Sequence, residues 1–588
     1  MSQHPTAACL RSDRQIAGPI FVVVLLVYGA TSAQHVLGGD SGEFATLAAT
    51  GGVAHPPGYP LYTLVLRALR WLPASEPAHR ASLITALIGA ANSALCYRAS
   101  RAWGASQVAS ATVTFTFAPL TWQLSTSPEA FALNTCVALA LVALAAKTPE
   151  DPRAALRHAA LLALLAGLGI SNHHSIVLLA PIGLFAWGAS VRASKRPLAA
   201  VASSIAALFV GLLPYAYLVY AARNFDPMTT WMWGDTKDLS GLVTHFFRRE
   251  YGTTQLGISN SPPQISAQLV TFAKATLVDL QGVPLLALVG LLILIRRAKD
   301  VRVGFRFRWC MLLTSVVVSG PLFLMRFNTP PRGVGALIVE RFYLLPWAIL
   351  LVACARALDG FAVASLRRVR WLVPAGLAAA MAFVSFDAVR EHHRPTVAQY
   401  VRNTLALVEP NAILVGGGDH RFGGFLYARL ALSERRDVAF VNPVLMLGTW
   451  YTPQAEALVG RSLTRPHDQV LNGGLLLGEL LATRRPIYLT DWTVDESRKL
   501  IPTYPIGPVM RVVTSFGLVP SPARVYAMND DVFASFELEA TPPRNMHSWH
   551  GDIFSSYARP WQSLADAFRV SDPERAERCR QRAAAFAH

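Results

Sequence analysis

The amino-acid sequence predicts a polytopic α-helical membrane protein of about eleven transmembrane helices, followed by a C-terminal soluble α/β domain. Three observations carry that expectation. Of 588 residues, 53% are hydrophobic and 15% are charged, against about 25% charged in soluble domains. The apolar residues are clumped, with 16–32, 159–170, 198–222, 285–295 and 342–355 nearly free of charge. Most of these runs reach or approach the length that crosses ~30 Å of hydrocarbon as a helix. Finally, basic residues alternate between rich and poor connections, as they do in membrane proteins with a fixed orientation.

Membrane helices are expected near 16–33, 81–98, 105–123, 129–146, 157–171, 175–191, 198–222, 274–295, 309–325, 342–358 and 371–389. With a cytoplasmic N-terminus, the inside connections hold Arg98 and Arg101, then Lys147, Arg153 and Arg157, then Arg192, Lys195 and Arg196. Further along they hold Arg296, Arg297, Lys299, Arg302, Arg306 and Arg308, then Arg356, Arg367, Arg368 and Arg370. The outside connections are longer yet poorer in Lys and Arg, so the C-terminus is expected outside. The expected location is a bacterial inner membrane. Arg11 and Arg14 precede the first apolar run without a clear small-residue cleavage site, so that run reads as an uncleaved helix. The net charge of +17 could suggest nucleic acid, but many basic residues flank apolar segments, and the partner they imply is the lipid bilayer. The six cysteines are scattered without metal-ligand or disulfide spacing.

Two outside connections are long, 34–80 and 223–265, and the first is expected to hold interfacial helix, with 61–72 apolar and Arg67 and Arg70 on one side. After about residue 391 the composition changes. Strands are expected at 412–415, 437–442, 486–490 and 511–515, with helices at 423–433 and 472–483 between them. The segment 557–586 reads as a helical hairpin broken at Ser571-Asp572-Pro573. The expected domains are thus 1–390 in the membrane, 391–545 as an extracytoplasmic α/β domain and 546–588 as the hairpin.

The residues with chemistry gather outside. Asp40 and Glu43, in Gly38-Gly39-Asp40-Ser41-Gly42-Glu43, share a face if Ser41 opens a helix. A partly desolvated carboxylate there can act as a base towards a hydroxyl, although a capping box has the same spacing. His55-Pro56-Pro57-Gly58-Tyr59-Pro60 fixes an irregular backbone of the kind tolerated beside a membrane where it lines a cavity or is covered by protein; a stiff turn with a surface histidine is the plainer reading. Asn172-His173-His174 ends the fifth helix. Adjacent histidines diverge on a helix, so a two-ligand metal site is not expected from them.

Trp231-Met232-Trp233-Gly234-Asp235 and Arg248-Arg249 offer stacking for a sugar ring and charge for a phosphate, or an aromatic belt and head-group contacts. Glu340-Arg341-Phe342-Tyr343 opens the tenth helix outside, with Arg326 and Arg332 just upstream. Arginines on this side run against the charge rule, and either an anionic lipid phosphate or a pair with Glu340 would keep them there. Gly416-Gly417-Gly418-Asp419 lacks the spacing of a dinucleotide or P-loop motif and reads as a turn.

Together these segments resemble one family, the animal transmembrane O-mannosyltransferases and their bacterial relatives. The resemblance rests on Gly39-Asp40-Ser41-Gly42-Glu43, Ala54-His55-Pro56-Pro57-Gly58-Tyr59-Pro60-Leu61-Tyr62 and Asn172-His173-His174. It also rests on Trp233-Gly234-Asp235 with 248–252 and on Glu340-Arg341-Phe342-Tyr343, all in order through about the first 390 residues. It implies the C-type membrane glycosyltransferase fold, a polyprenyl-phosphate sugar donor and a protein or glycan acceptor. The resemblance carries the role of base or acceptor-orienting group over to Asp40, with Glu43 the second acidic group.

The substrate-binding residues expected are His55, Tyr59, His173, His174, Trp233, Arg248, Arg332 and Arg341. Asp40 and Glu43 are hard ligands that would suit a divalent metal, yet two carboxylates do not specify one. No cofactor is therefore required, no metal is predicted, and no nucleic-acid partner is expected. The rival readings are a transporter or flippase of lipid-linked sugars, for which no clear internal repeat is visible, and a non-catalytic membrane scaffold.

Overall fold

The computed structural model describes residues 7–252, 262–297, 303–361, 372–464, 469–490 and 501–586. It is a helical membrane protein. Among the described residues five helices are long and apolar enough to cross a bilayer: Pro152–Asn172, His174–Ala193, Pro197–Arg223, Val334–Phe361 and Leu372–Leu407. A sixth is the pair Ile265–Asp279 and Val283–Leu294, if this pair, bent by 83°, is one span. Helix is present at all eleven expected positions, but the others are shorter or more polar.

Local sequence explains the differences. The expected helix 105–123 is two, Val108–Phe117 and Pro119–Ser125, because Pro119 has no N–H to continue the ladder. Pro77–Ala102 is 26 residues long, but its buried Ser82, Thr85, Asn92, Ser93 and Ser100 make it a helix for protein surroundings. Asn92, for instance, donates to the carbonyl of Ala132 at 2.8 Å. Pro152–Asn172 begins where sequence grammar places a start: Asp151 accepts from the Ala154 N–H at 2.7 Å and Pro152 stands in the first turn. It ends before His173, whose extended backbone (φ −152°) separates it from His174–Ala193.

The first long connection, 34–80, folds into two short helices, Ser41–Thr50 and Pro60–Ala68. Between them Gly52–Val53 pairs in parallel with Trp231–Met232 and ties the two long connections together. Gly52 adopts φ +117°, and a Cβ there would lie 2.0 Å from the Trp231 carbonyl oxygen, so only glycine permits this register.

The C-terminal region forms a five-stranded mixed sheet in the order Ala439–Val441, Ile413–Val415, Ile487–Leu489, Val509–Val512, Thr503–Ile506. The first three strands are parallel and the last two antiparallel. The expected strand at 511–515 lies earlier, and Thr503–Ile506 escaped notice because it is a half-buried edge strand without a continuous apolar run. The hairpin is present as Trp549–Phe568 and Pro573–Ala584.

One hydrophobic core joins this sheet to the first long connection, with Phe44, Leu47 and Tyr62 in the same cluster as Ile413, Phe422 and Tyr427. The closest approach is Gly42 against Gly423, where a Cβ on Gly42 would meet the Gly423 carbonyl carbon at 2.3 Å. Gly42→Ala is therefore expected to destabilise the protein by about 1–3 kcal/mol, the usual cost of overpacking against backbone. Thermal unfolding of the purified variant measures it, and an unchanged midpoint would contradict this contact.

Candidate active site

Asp40 occupies the residue before Ser41–Thr50, the place of a helix cap, yet its side chain makes no capping hydrogen bond. Its carboxylate instead accepts from Arg341 Nη1 at 2.6 Å. Glu43, one turn on, does not reach back to complete a capping box. It accepts from the His55 main-chain N–H at 3.0 Å and the Trp231 indole N–H at 2.9 Å, with His55 Nδ1 at 2.5 Å. His55 Nε2 lies 3.9 Å from Asp40 and 3.1 Å from the Tyr59 hydroxyl. The proline-rich segment thus lays an imidazole between the two carboxylates, and the stiff-turn reading gives way to a side chain held on both sides.

Arg341 also meets Glu129, at 3.4 Å, and lies over the Phe131 ring with its guanidinium carbon 5.5 Å from the centroid. Around this cluster stand aromatic rings. His173 is 4.9 Å from Phe131, 5.6 Å from Phe342 and 5.7 Å from Tyr59. Its Nδ1 accepts from the Ser175 N–H at 3.1 Å, which leaves the proton on Nε2. Trp233 lies 5.9 Å from His55 and 6.4 Å from Tyr251. Arg248 lies 5.4 Å over Tyr251, with its Nε buried and unpartnered.

The electrostatics separate these groups. Burial would raise the pKa of Asp40, but the Arg341 charge, helped by His55, outweighs it and holds the carboxyl below its ordinary value. Burial would lower His55, but the carboxylates of Glu43 and Asp40 raise it to about 9. Glu129 is raised, because burial exceeds what Arg341 returns. At neutral pH the site therefore holds an ionised Asp40 beside a protonated His55.

The raised His55 pKa has a pH consequence. Its stabilising effect is complete below the ordinary histidine value of about 6.5 and is lost as pH rises through about 9. The difference in unfolding midpoint between the wild type and His55→Gln should therefore be largest at pH 6 and shrink towards pH 10. A difference that grows with pH would reverse this assignment.

Of the residues expected from sequence, the structure brings together Asp40, Glu43, His55, Tyr59, His173, Trp233 and Arg341, with Arg248 at the edge through Tyr251. Two do not join them. His174 turns to the Tyr215 hydroxyl at 3.0 Å and the Phe246 ring, because adjacent residues at a helix end diverge. Arg332 is exposed and makes no ion pair with the site carboxylates; the turn after Pro330 carries it outward. Among the described residues Glu340 pairs with neither Arg326 nor Arg332, so a pair with Glu340 does not account for these arginines.

Two members were missed. Glu129 stands in Ser127-Pro128-Glu129 just before the apolar helix Phe131–Ala145, and a carboxylate at the end of such a helix was the available signal. Trp231, rather than Trp233, donates to Glu43. Among the described residues no three His, Cys, Asp or Glu side chains converge as metal ligands.

Comparison with known proteins covers part of this site. Residues 40–196 match the model of the protein O-mannosyl-transferase TMEM260 N-terminal domain. Mouse protein O-mannosyl-transferase TMEM260 is 30% identical over 463 residues, 74% of this chain and 63% of the mouse protein. The Dictyostelium discoideum protein of the same name is 24% identical over 485 residues, covering 74% of this chain and 57% of its own length. The chain thus spans under two thirds of the length of these relatives.

Among solved structures, ArnT from Cupriavidus metallidurans bound to undecaprenyl phosphate superposes with a TM-score of 0.55 at 14% identity, over 84% of this chain and 98% of ArnT. Its apo state gives 0.50 at 13%, over 84% and 97%. The motif resemblance to the O-mannosyltransferase family is borne out, and the fold is similar to that of ArnT.

Proposed function

We propose that this chain, whose N-terminal region carries the TMEM260 domain, is a membrane glycosyltransferase that moves a sugar from a polyprenyl-phosphate donor to an acceptor hydroxyl on the extracytoplasmic side. The resemblance to O-mannosyltransferases makes mannose the sugar to try first, with a protein or glycan as acceptor. The proposal includes eleven membrane crossings from a cytoplasmic N-terminus in a bacterial inner membrane. It divides the chain into a catalytic membrane domain over 1–390, an extracytoplasmic α/β domain over 391–545 and the hairpin over 546–588.

The observation that carries the reading is the Asp40–Arg341 pair at 2.6 Å, an anion and a cation side by side in an aromatic-lined site. In the reaction, Asp40 accepts the proton of the acceptor hydroxyl as its oxygen bonds to the anomeric carbon. The carbon–phosphate-oxygen bond breaks on the opposite face, with inversion, and the phosphate departs with its electrons. Arg341, with Arg248 nearby, stabilises that growing charge. Phosphate is a good leaving group, so no protein acid is needed. As the guanidinium turns towards the donor phosphate it holds the Asp40 pKa down less, so the carboxylate becomes more basic when the donor is in place.

Purified full-length protein in lipid nanodiscs, given radiolabelled polyprenyl-phosphate mannose and serine- and threonine-containing peptides or glycosides, tests the reading. The expected result is labelled acceptor together with free polyprenyl phosphate. Donor that binds and is moved across the bilayer without cleavage would favour a transporter and overturn it.

A further inference from the structure

The Gly416-Gly417-Gly418-Asp419 turn, which no nucleotide motif explains, opens the helix Asp419–Leu430. Gly423 of that helix sits on Gly42, two residues from Asp40. Residues 419 and 423 are one turn apart on the same helix face, so this contact sets the Asp419 side chain above the Asp40 end of Ser41–Thr50. The electrostatic neighbours of Asp419 agree: Asp40, His55 and Arg341 from the membrane domain, and Tyr251 from the second long connection.

The surroundings of this residue are unlike those of its neighbours. His420 and Arg421 are buried and clamp Asp552 of the helix Trp549–Phe568 at 2.9 and 2.6 Å. Gly418, at φ +84°, supplies the turn before them. The start of the helix is therefore pinned from both sides. Asp419 itself is open to solvent although protein surrounds it. Among the described residues no hydrogen bond or ion pair engages it. Burial, then the Asp40 charge, raises its pKa, against His420, His55 and Arg341.

We infer that Asp419 is a substrate-binding residue, contributed by the C-terminal region, that accepts a hydrogen bond from a hydroxyl of the transferred sugar. The inference rests on the glycosyl-transfer reading above and deepens it. With the lipid phosphate towards Arg341 and Arg248, the sugar projects away from the membrane into the space that Asp419 overlooks. A carboxylate held on a pinned helix and without a side-chain partner among the described residues is suited to a sugar hydroxyl, because charge-assisted hydrogen bonds are the stronger ones. Two carboxylates then serve one transfer in separate roles, Asp40 at the attacking acceptor hydroxyl and Asp419 at the hydroxyls of the sugar ring.

Binding distinguishes this from other roles. Full-length wild type, Asp419→Asn and Asp419→Ala in nanodiscs are titrated with polyprenyl-phosphate mannose and, separately, with sugar-free polyprenyl phosphate. The expected result is that Asp419→Ala weakens the sugar lipid by roughly tenfold or more, the scale of a hydrogen bond to a charged group. Asp419→Asn, which keeps one acceptor oxygen, should lose less, and the sugar-free lipid should bind all three proteins alike. Variants that bind both lipids as the wild type does overturn the inference, since Asp419 would then face only the acceptor. Equal weakening of both lipids with a lowered unfolding midpoint also overturns it, as a structural effect. A wild type that cleaves sugar lipid but shows no preference for it over the sugar-free lipid refutes this inference alone; a wild type that does neither refutes the underlying reading.

Discussion

Asp40→Asn should lower sugar transfer by about 10²–10⁴-fold, the range contributed by a positioned base, while leaving the fold in place. The amide fills the same volume but cannot accept the acceptor proton. Arg341 keeps Glu129 as a partner at 3.4 Å, so the guanidinium is not stranded and the unfolding midpoint should fall little. Binding of polyprenyl-phosphate mannose should survive, because the groups assigned to the phosphate are untouched. Initial rates of labelled-acceptor formation and equilibrium donor binding, measured on the same preparation, separate chemistry from binding. Equal rates for wild type and variant would remove Asp40 from the role of base.

Arg341→Ala should do the larger structural damage. It leaves Asp40 and Glu129, both largely buried, facing one another without the cation that joins them. Removing one partner of a buried pair costs about 3–5 kcal/mol, and the lower end applies because the Asp40 side chain retains 17% exposure. Donor affinity should fall as well, through the lost phosphate contact. The double variant Arg341→Ala/Asp40→Asn should recover part of the stability but none of the activity, since only Glu129 then lacks a partner and its raised pKa lets it bind a proton. Thermal unfolding of the two single variants and the double gives the coupling. Strictly additive losses would mean that the pair does not interact.

How much of this was legible depended on where each contact comes from. Asp40, Glu43, His55 and Tyr59 could be read because one short connection carries all four, and its prolines and glycines announce an irregular, defined backbone. Whether Asp40 capped a helix or faced a cavity could not be decided there, since both uses share a spacing. Arg341 was visible only as an arginine in a connection expected outside, where the charge rule disfavours it, a test that counts charges without knowing their direction. The same count selected Arg332, which the turn after Pro330 carries away. Asp419 reads as a mere turn residue in the sequence because its neighbourhood depends on Gly42 meeting Gly423, an encounter between segments far apart in the chain. The helix positions were legible from apolar runs. Their breaks at Pro119 and His173 were not, because a hydropathy window averages over one interrupted turn.

The 301-residue separation between Asp40 and Arg341 has a consequence for synthesis. The acidic pair leaves the ribosome just after the N-terminal helix Ala7–Ala30, and its guanidinium partner follows only when Val334–Glu340 has been made. Asp419–Leu430 follows later still. A nascent chain therefore presents the acidic loop for most of its translation with neither its counter-charge nor its cover. An assembled site, and with it any cleavage of the donor, is expected only after the C-terminal region has docked. Chains stalled before residue 419 should be inserted in the membrane yet leave the sugar lipid intact.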